Sequence, residues 1–166
     1  MKPERIKRFF PEIGEIKDES LKEKVVRIWR LAIERGGWKR IEDIPFTLLI
    51  PTKTTLLEHT RRVTRMALSI AGVRKDVKRD ILIAGGLCHD VGKLLEYEKK
   101  GRRFVKRKSE LLRHPISGAL LAYEVGLPLE VVHIIATHSK EGEGTKRSKE
   151  AIIIHHCDFI DFEMES

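Results

Sequence analysis

The feature that most constrains the fold of this chain is an adjacent histidine and aspartate, His89 and Asp90, which follow an apolar run over residues 81–87. Both side chains are costly to bury unless a partner satisfies them. A divalent cation would satisfy both, so the fold has to bring further ligands to this point. Gly92 and Lys93 come directly afterwards and add a helix-breaking residue and a positive charge.

Signals for helix starts and ends recur along the chain and predict an all-α fold. Ser20 and Thr55 each begin a capping-box sequence, with a glutamate three residues later. Apolar residues then recur at helical spacing until Gly36 and Gly72 end the two helices. Asp76 is expected to cap a third helix, which ends at the His-Asp pair.

The second half of the chain continues with helices. One is expected to begin at His114, because the proline that follows suits the first turn of a helix. Another is expected over residues 129–137, and Ser148 is expected to cap the last helix. Between them, residues 96–113 carry eight Lys or Arg against three Glu without a clear period, which predicts a mobile loop or lid.

Composition is typical of a globular, soluble protein with one domain. The chain has 166 residues, 41% of them apolar, and no stretch approaches the roughly 20 apolar residues that span a bilayer. The charged N-terminus is not followed by an apolar run, so we expect a cytoplasmic location and no membrane partner. We expect a core over about residues 53–163 and an N-terminal helical extension over residues 1–52.

The net charge bears on the kind of partner, and the content of Asn and Gln bears on a thermophile origin. The net charge of +8 favours an anionic partner, but it does not distinguish RNA from a small phosphate ester. The sequence contains no Asn and no Gln beside abundant Lys, Arg and Glu, which is typical of thermophile proteins.

Six side chains of metal-ligating type lie near predicted helix ends or on predicted buried faces. They are His59, His89, Asp90, His114, His138 and Asp158. A lone histidine on an apolar face is usually a core residue, and only the joint pattern favours a metal site. Imidazole and carboxylate ligands suit divalent Mn, Fe, Co, Ni or Zn, and six exceed what one structural zinc needs. The pattern predicts one or two divalent ions, with Asp90 able to bridge two of them.

The order of these residues resembles the HD superfamily of metal-dependent phosphohydrolases over roughly residues 56–162. Four residues match the family's ligand pattern, namely His59, His89, Asp90 and Asp158. The resemblance implies an HD-type helical bundle with the metal site between helices. It also implies that His114 and His138 are the additional histidines of members that hold two metals. Lys93, in the sequence His-Asp-Val-Gly-Lys, resembles the family's phosphate-neutralising lysine.

The resemblance implies hydrolysis of a small phosphoester by metal-activated water, with Asp90 and Lys93 as catalytic residues. His138 is followed by Ser139. This His-Ser sequence is similar to that of HD hydrolases that act on small nucleotides or cyclic phosphodiesters. The implied partner is therefore a nucleotide-like phosphomonoester or cyclic phosphodiester. The basic residues of segments 96–113 and 140–147 are expected to close over its phosphate.

Two alternatives stay open at the level of the sequence. The last helix, over residues 150–161, is similar to that of HD-type 3′-to-5′ exoribonucleases, which makes short RNA a second candidate substrate. Those enzymes carry a paired His-His and an OB-type domain, for which residues 1–50 are too short and too helical. A non-catalytic nucleotide-binding regulatory module would keep the same fold without turnover. HD-GYP signalling proteins share the order of histidines, but the GYP signature is missing.

Overall fold

The structure, a computed structural model, describes residues 1–108 and 111–165. Within these ranges the chain forms α-helices, two short 3₁₀ helices and one small antiparallel sheet. In chain order they are α1 (Pro3–Phe9), a 3₁₀ helix (Pro11–Glu15), α2 (Glu19–Arg35), α3 (Leu56–Val73), α4 (Arg79–Cys88), α5 (Lys93–Glu96), β1 (Tyr97–Lys100), β2 (Arg103–Lys106), α6 (His114–Glu124), α7 (Leu129–Thr137), a 3₁₀ helix (Lys140–Gly142) and α8 (Lys149–Glu163). The predicted all-α class is confirmed, apart from this small sheet.

The sheet corrects the prediction of a mobile loop. Strands β1 and β2 pair antiparallel, with Tyr97 opposite Lys106 and Lys100 opposite Arg103. Gly101 makes the turn with a φ of +59°, which a glycine adopts without steric cost. Each strand has four residues and only one partner, so the alternation was too short to detect in the sequence. Residues 109–110 of the predicted loop lie outside the described residues.

Two of the predicted helix caps are confirmed. Thr55 and Glu58 form a complete capping box at the start of α3, and Ser148 caps α8 by accepting the Ala151 N–H. The helix that begins at His114 also agrees with the prediction.

The other two predicted caps are wrong. Asp18, rather than Ser20, caps α2, because its side chain accepts the Leu21 N–H at 3.0 Å. The Asp80 carboxylate of α4 in turn accepts the backbone N–H of Asp18 at 3.0 Å. Helix α4 has no side-chain cap of its own, and Glu150 of α8 accepts the Lys78 N–H at 2.8 Å. Asp76 instead forms ion pairs with neighbouring cations.

The main apolar core joins the N-terminal helices to the helices that follow residue 56. Trp29 of α2 is fully buried in it, and its indole Nε1 donates to the Leu87 carbonyl at 2.9 Å. That carbonyl lies two residues before His89, so the contact fixes the end of α4 where the His-Asp pair emerges. The N-terminal helices therefore support the position of the pair directly.

Two glycines allow the helices to approach closely around the pair. A Cβ on Gly85 would lie 2.6 Å from the side chain of Ile134, so a larger residue there would have to displace this side chain of α7. A Cβ on Gly92 would lie 2.1 Å from the His114 carbonyl oxygen. This second contact brings the start of α6 against the turn that carries Asp90. In the part of the chain that the structure describes, no helix combines the length and apolarity needed to cross a membrane.

Candidate metal centre

The structure brings the six predicted ligands together at one point between five helices. Helix α3 carries His59, and α8 carries Asp158. His89 and Asp90 follow the last residue of α4, His114 is the first residue of α6, and His138 follows the last residue of α7. Helix ends and buried helix faces thus supply all six, and each of them except Asp158 is buried.

One side of the site is built around the Oδ2 atom of Asp90. His59 Nε2 lies 3.0 Å from Asp158 Oδ1 and 3.4 Å from Asp90 Oδ2. His89 Nε2 lies 3.3 Å from His59 Nε2 and 3.5 Å from Asp90 Oδ2. Two imidazoles and two carboxylates therefore turn one atom each towards a common centre, which we call the Oδ2 side.

The other side is built around the Oδ1 atom of the same aspartate. His114 Nε2 lies 3.3 Å from Asp90 Oδ1, and His138 Nε2 lies 3.5 Å from it. Among the described residues, neither Asp90 Oδ1 nor His138 Nε2 has a hydrogen-bond partner, although both atoms are buried. We call this group the Oδ1 side. Asp90 alone belongs to both sides.

All four histidines are oriented in the same way. Their Nδ1 atoms are held by neighbours: Asp161 at 2.7 Å from His59, the Gly86 carbonyl at 2.7 Å from His89, Glu96 at 2.9 Å from His114, and the Ile135 carbonyl at 2.7 Å from His138. Each ring consequently presents Nε2 to Asp90. Such a contact on the far ring nitrogen fixes the tautomer and direction of a metal-ligating histidine.

Asp161 and Glu96 were missed by the sequence analysis. Asp161 follows Asp158 by three residues on the same face of α8, and this spacing could have drawn attention to it. Glu96 follows Lys93 by three residues, but it lies in a segment that resembled a charged loop. Both carboxylates are buried, at 6% and 4% exposure.

The electrostatics of the Oδ2 side favour ionised carboxylates. Burial opposes the charge on Asp90, but Lys93 and His89 outweigh it and hold the pKa of this carboxyl well below its usual value. Burial also opposes the charge on Asp158, whose pKa falls to about 2 mainly because His59 hydrogen-bonds to it. For His59, burial lowers the pKa, but the surrounding carboxylates raise it to about 10. The His59 ring therefore carries a proton that a bound metal would have to displace.

On the Oδ1 side, by contrast, a histidine is kept neutral by burial. Burial is the largest effect on His114 and lowers its pKa to about 4, despite the opposing hydrogen bond to Glu96. The ring is neutral near pH 7 and its Nε2 lone pair is available, as a metal ligand requires.

The geometry and the donor types suit divalent cations. An ion about 2.1 Å from nitrogen and oxygen ligands holds neighbouring ligand atoms about 3.0 to 3.4 Å apart, close to the separations found on both sides. In two groups of metal-capable side chains, each residue offers one ligand atom and these atoms all lie within 4.8 Å of one another, namely His59, His89 and Asp90, and Asp90, His114 and His138. The two buried atoms without partners on the Oδ1 side also lie where a cation would satisfy both of them.

Lys93 is buried beside this centre. Its Nζ donates to Asp90 Oδ2 at 2.5 Å and to the Phe46 carbonyl at 2.6 Å. Burial opposes its charge, but the Asp90 carboxylate outweighs burial and raises the pKa of the ammonium group. Phe46 in turn stacks on the His59 ring, with centroids 4.5 Å apart. The loop that contains Phe46 is thus ordered against the site.

A cavity of 380 Å³ opens above the centre. Asp90, Asp158 and His114 of the metal centre line it and define its floor, and Lys93 also lines it. Its apolar lining includes Phe46, Leu49, Phe159 and Phe162. The cations Lys106, Arg113 and Lys140 line it as well, beside Glu96 and Glu141.

Other histidines and cations near the site have structural contacts. His155 Nδ1 lies 2.6 Å from the His138 carbonyl, and His133 accepts the Ser148 N–H. Arg107 donates to the carbonyls of Tyr97 and Gly36 instead of lining the cavity. Among the described basic residues of the hairpin, Lys106 lines the cavity.

The family model for the HD domain matches residues 56–163 of this chain. The chain belongs to the HD-domain family. The match contains all six residues of the site and leaves the N-terminal helices outside.

Two kinds of curated relative are similar to this HD-domain protein. The dihydroneopterin 2′,3′-cyclic phosphate phosphodiesterase of Methanocaldococcus jannaschii is 31% identical over 163 residues, which cover 89% of this chain and 65% of the relative. The 3′-5′ exoribonuclease YhaM of Listeria monocytogenes is 30% identical over 116 residues, which cover 62% of this chain and 37% of that enzyme. The chain thus spans less than two thirds of the length of either relative. No solved structure matches it at a significant level.

Proposed function

We propose that this protein is a metal-dependent phosphohydrolase that cleaves a small cyclic phosphodiester of a nucleotide-like molecule. The observation that carries the proposal is the position of Asp90, whose two carboxylate oxygens face two separate groups of ligands. A carboxylate placed in this way can join two cations, which is the arrangement used in two-metal hydrolysis of phosphate esters.

The proposed ligands follow from the two sides of the site. The Oδ2 side would hold one ion through His59, His89, Asp90 and Asp158. The Oδ1 side would hold a second ion through Asp90, His114 and His138. Nitrogen and oxygen donors of this kind suit Mn, Fe, Co, Ni or Zn.

Divalent ions at these positions would polarise a phosphoryl oxygen and lower the pKa of a water molecule, so that it can attack phosphorus near neutral pH. The chain's own residues orient the reaction. Asp161 and Glu96 hold the rings of His59 and His114 in place through Nδ1. Lys93 keeps a positive charge at the cavity floor, where it offsets negative charge that develops on the phosphate.

The cavity supports a substrate of nucleotide size. Its volume of 380 Å³ lies near the lower end of the range for small-molecule sites, about 300 to 1,000 Å³. Aromatic side chains and cations both line it, which suits a molecule with a planar ring and a phosphate. The relative from Methanocaldococcus is named for a cyclic phosphate of this description.

The test is hydrolysis of 2′,3′-cyclic nucleotides by the purified protein, supplied in turn with Mn, Fe, Co, Ni and Zn. Metal content is measured on the same preparation. We expect two ions per chain and release of a nucleoside monophosphate, with slower turnover of p-nitrophenyl phosphate. Absence of bound metal together with absence of hydrolysis in all five metals would refute the proposal.

Short RNA is a second candidate substrate, which the similarity to the Listeria exoribonucleases and the charge of +8 favour. A labelled oligonucleotide separates the two functions. Processive shortening whose rate falls steeply with added salt would favour the nuclease.

Binding of cyclic nucleotides with no turnover, in a protein that carries both ions, would instead indicate a regulatory module.

We propose further that residues 1–52 form a helical extension of one domain, whose core covers about residues 53–163. Burial of Trp29 against the end of α4 supports this organisation. If removal of residues 1–52 left the unfolding midpoint and metal content unchanged, the extension would be a separate unit.

A further inference from the structure

The rim of the cavity contains cations that the proposed reaction does not use. Lys106 comes from β2, Arg113 immediately precedes α6, and Lys140 begins the 3₁₀ helix after α7. Lys106 and Arg113 come from one basic segment, over residues 96–113, and Lys140 comes from a separate part of the chain, yet all three line the same cavity.

Two of these cations are held by one buried oxygen. Lys106 Nζ lies 3.3 Å from Glu96 Oε1, and Arg113 Nε lies 3.4 Å from the same atom. Glu96 is only 4% exposed, whereas the side chains of Lys106 and Arg113 are 45% and 50% exposed. A rigid carboxylate therefore keeps two cations side by side, with much of each still accessible to a ligand.

The Glu96 carboxylate also separates this pair from the metal centre. Its Oε2 accepts the backbone N–H of His114 at 2.9 Å and lies 2.9 Å from His114 Nδ1. The opposite atom of that ring, Nε2, faces Asp90. An imidazole ring and a carboxylate thus lie between Asp90 and the two cations. A phosphate that binds beside Asp90 and Lys93 would lie at the floor of the cavity. The cations at the rim would then contact a different part of the substrate.

The charges at the rim leave a positive excess. Glu96 and Glu141 offset two of the three cations, and Arg113 Nε also lies 3.6 Å from Glu141 Oε1. The rim side chains therefore carry a net charge of +1. This favours binding of a phosphate, because a phosphate accepts hydrogen bonds from several donors at once.

We propose that Lys106 and Arg113, with Lys140 beside them, form a second phosphate subsite at the mouth of the cavity, which binds a phosphate other than the one that is cleaved. The subsite rests on the proposed function, since it defines the substrate of the same cavity. It assigns to this protein a preference for nucleotides that carry two phosphate groups, such as a 2′,3′-cyclic nucleotide with a 5′-phosphate.

The experiment compares two substrates that differ only in the second phosphate, adenosine 2′,3′-cyclic phosphate with and without a 5′-phosphate. The variants are Lys106→Met and Arg113→Met in the metal-loaded protein. Each is expected to raise KM for the 5′-phosphorylated substrate by about 5- to 20-fold, because a charge-assisted contact at a half-exposed position is lost. kcat, and KM for the substrate without the 5′-phosphate, should stay within about twofold of their original values.

Two controls accompany these variants. Arg102→Met removes a cation from the turn of the same hairpin, outside the cavity, and should change neither KM. Arg113→Lys keeps the charge and should recover most of the lost affinity. An equal rise in KM for both substrates would show that the cations act on the cleaved phosphate, and no change for either would show that they bind nothing. Both results would overturn the proposal.

A binding measurement decides the question even if the protein has no turnover. Calorimetry on the metal-loaded protein compares adenosine 3′-monophosphate with adenosine 3′,5′-bisphosphate. The subsite predicts tighter binding of the bisphosphate, and loss of this difference in Lys106→Met and Arg113→Met. Failure of hydrolysis with this preference intact would refute the proposed reaction and leave the subsite standing. Equal affinities in the original protein would refute the subsite alone.

Discussion

The two sides of Asp90 use the same kinds of side chain but are stabilised differently. On the Oδ2 side, His59 contacts Asp158 and Asp161, and Lys93 donates to Asp90, so charges of opposite sign already compensate one another. On the Oδ1 side, Asp90 Oδ1 and His138 Nε2 are buried without hydrogen-bond partners in the described parts of the chain. A buried polar atom left unpaired costs about 1 to 3 kcal/mol.

This difference in stabilisation indicates which side of the site depends more on a cation. The ion pairs of the Oδ2 side can keep its geometry by themselves, but an ion there has to displace the proton of His59. The Oδ1 side offers a neutral His114 and atoms that a cation would satisfy directly. We therefore expect metal to contribute more to the local order of the Oδ1 side than to that of the Oδ2 side.

The largest effect is expected from the residue that the two sides share. Asp90→Asn removes the charge that both ions need, so metal content should fall from two ions to near zero, and kcat should fall by about 10⁴-fold or more. Elemental analysis and initial rates measure the two quantities. His156→Ala, which alters an exposed histidine on α8, serves as the control. Full metal content in Asp90→Asn would contradict the bridging role.

Removal of one histidine from each side should separate the two ions. His138→Ala is expected to lose the ion of the Oδ1 side and to retain the other, and His89→Ala is expected to do the reverse. Either change should lower kcat by about 10²- to 10³-fold, since one Lewis acid remains. Metal stoichiometry distinguishes the variants. If His138→Ala lost both ions together, the two sides would form a single cooperative site.

A smaller effect is expected from the carboxylates behind the rings. Asp161→Asn should weaken metal binding on the Oδ2 side, and Glu96→Gln should weaken it on the Oδ1 side, each by about 10- to 100-fold. Titration of each variant with Mn gives the two affinities. If both variants bound the same ion more weakly, this result would contradict the assignment of Asp161 and Glu96 to different sides.

The smallest effect is expected from the backbone contact between Gly92 and His114. Gly92→Ala forces the start of α6 away from Asp90 and should lower the free energy of unfolding by about 1 to 3 kcal/mol. Its effect on metal binding should be confined to the Oδ1 side. Gly14→Ala is the matched control, because a Cβ at Gly14 meets nothing within 4 Å. Denaturant unfolding compares the two variants, and equal stabilities would show that α6 adjusts without cost.

Much of the helical architecture followed from local rules. The capping box at Thr55, the proline after His114 and the cap at Ser148 each predicted a helix start that the structure contains. The start of α2 was predicted two residues late, because Asp18 rather than Ser20 accepts the Leu21 N–H. The start of α4 was predicted wrongly because Glu150 of α8 accepts the Lys78 N–H. A local signal fails where another helix supplies the contact.

The basic segment shows the same limit in another form. Its charges were visible in the sequence, but the hairpin of β1 and β2 was not, and Lys106 and Arg107 have opposite surroundings. Lys106 reaches the cavity, whereas Arg107 donates to backbone carbonyls. Alternate residues of a strand point to opposite faces, so neighbours in the sequence acquire different partners once the hairpin forms.

The sequence by itself singled out the six side chains of the site, because each lies at a helix end or on a helix face that apolar spacing and turn residues mark. Only the tertiary structure decided which oxygen of Asp90 faces which histidines, and that Asp161 and Glu96 hold two of the rings. The physical reason is that residue type and local spacing determine what a side chain can bind. Its actual partners depend on how closely the helices approach, and contacts such as that of Gly92 with His114 set this approach.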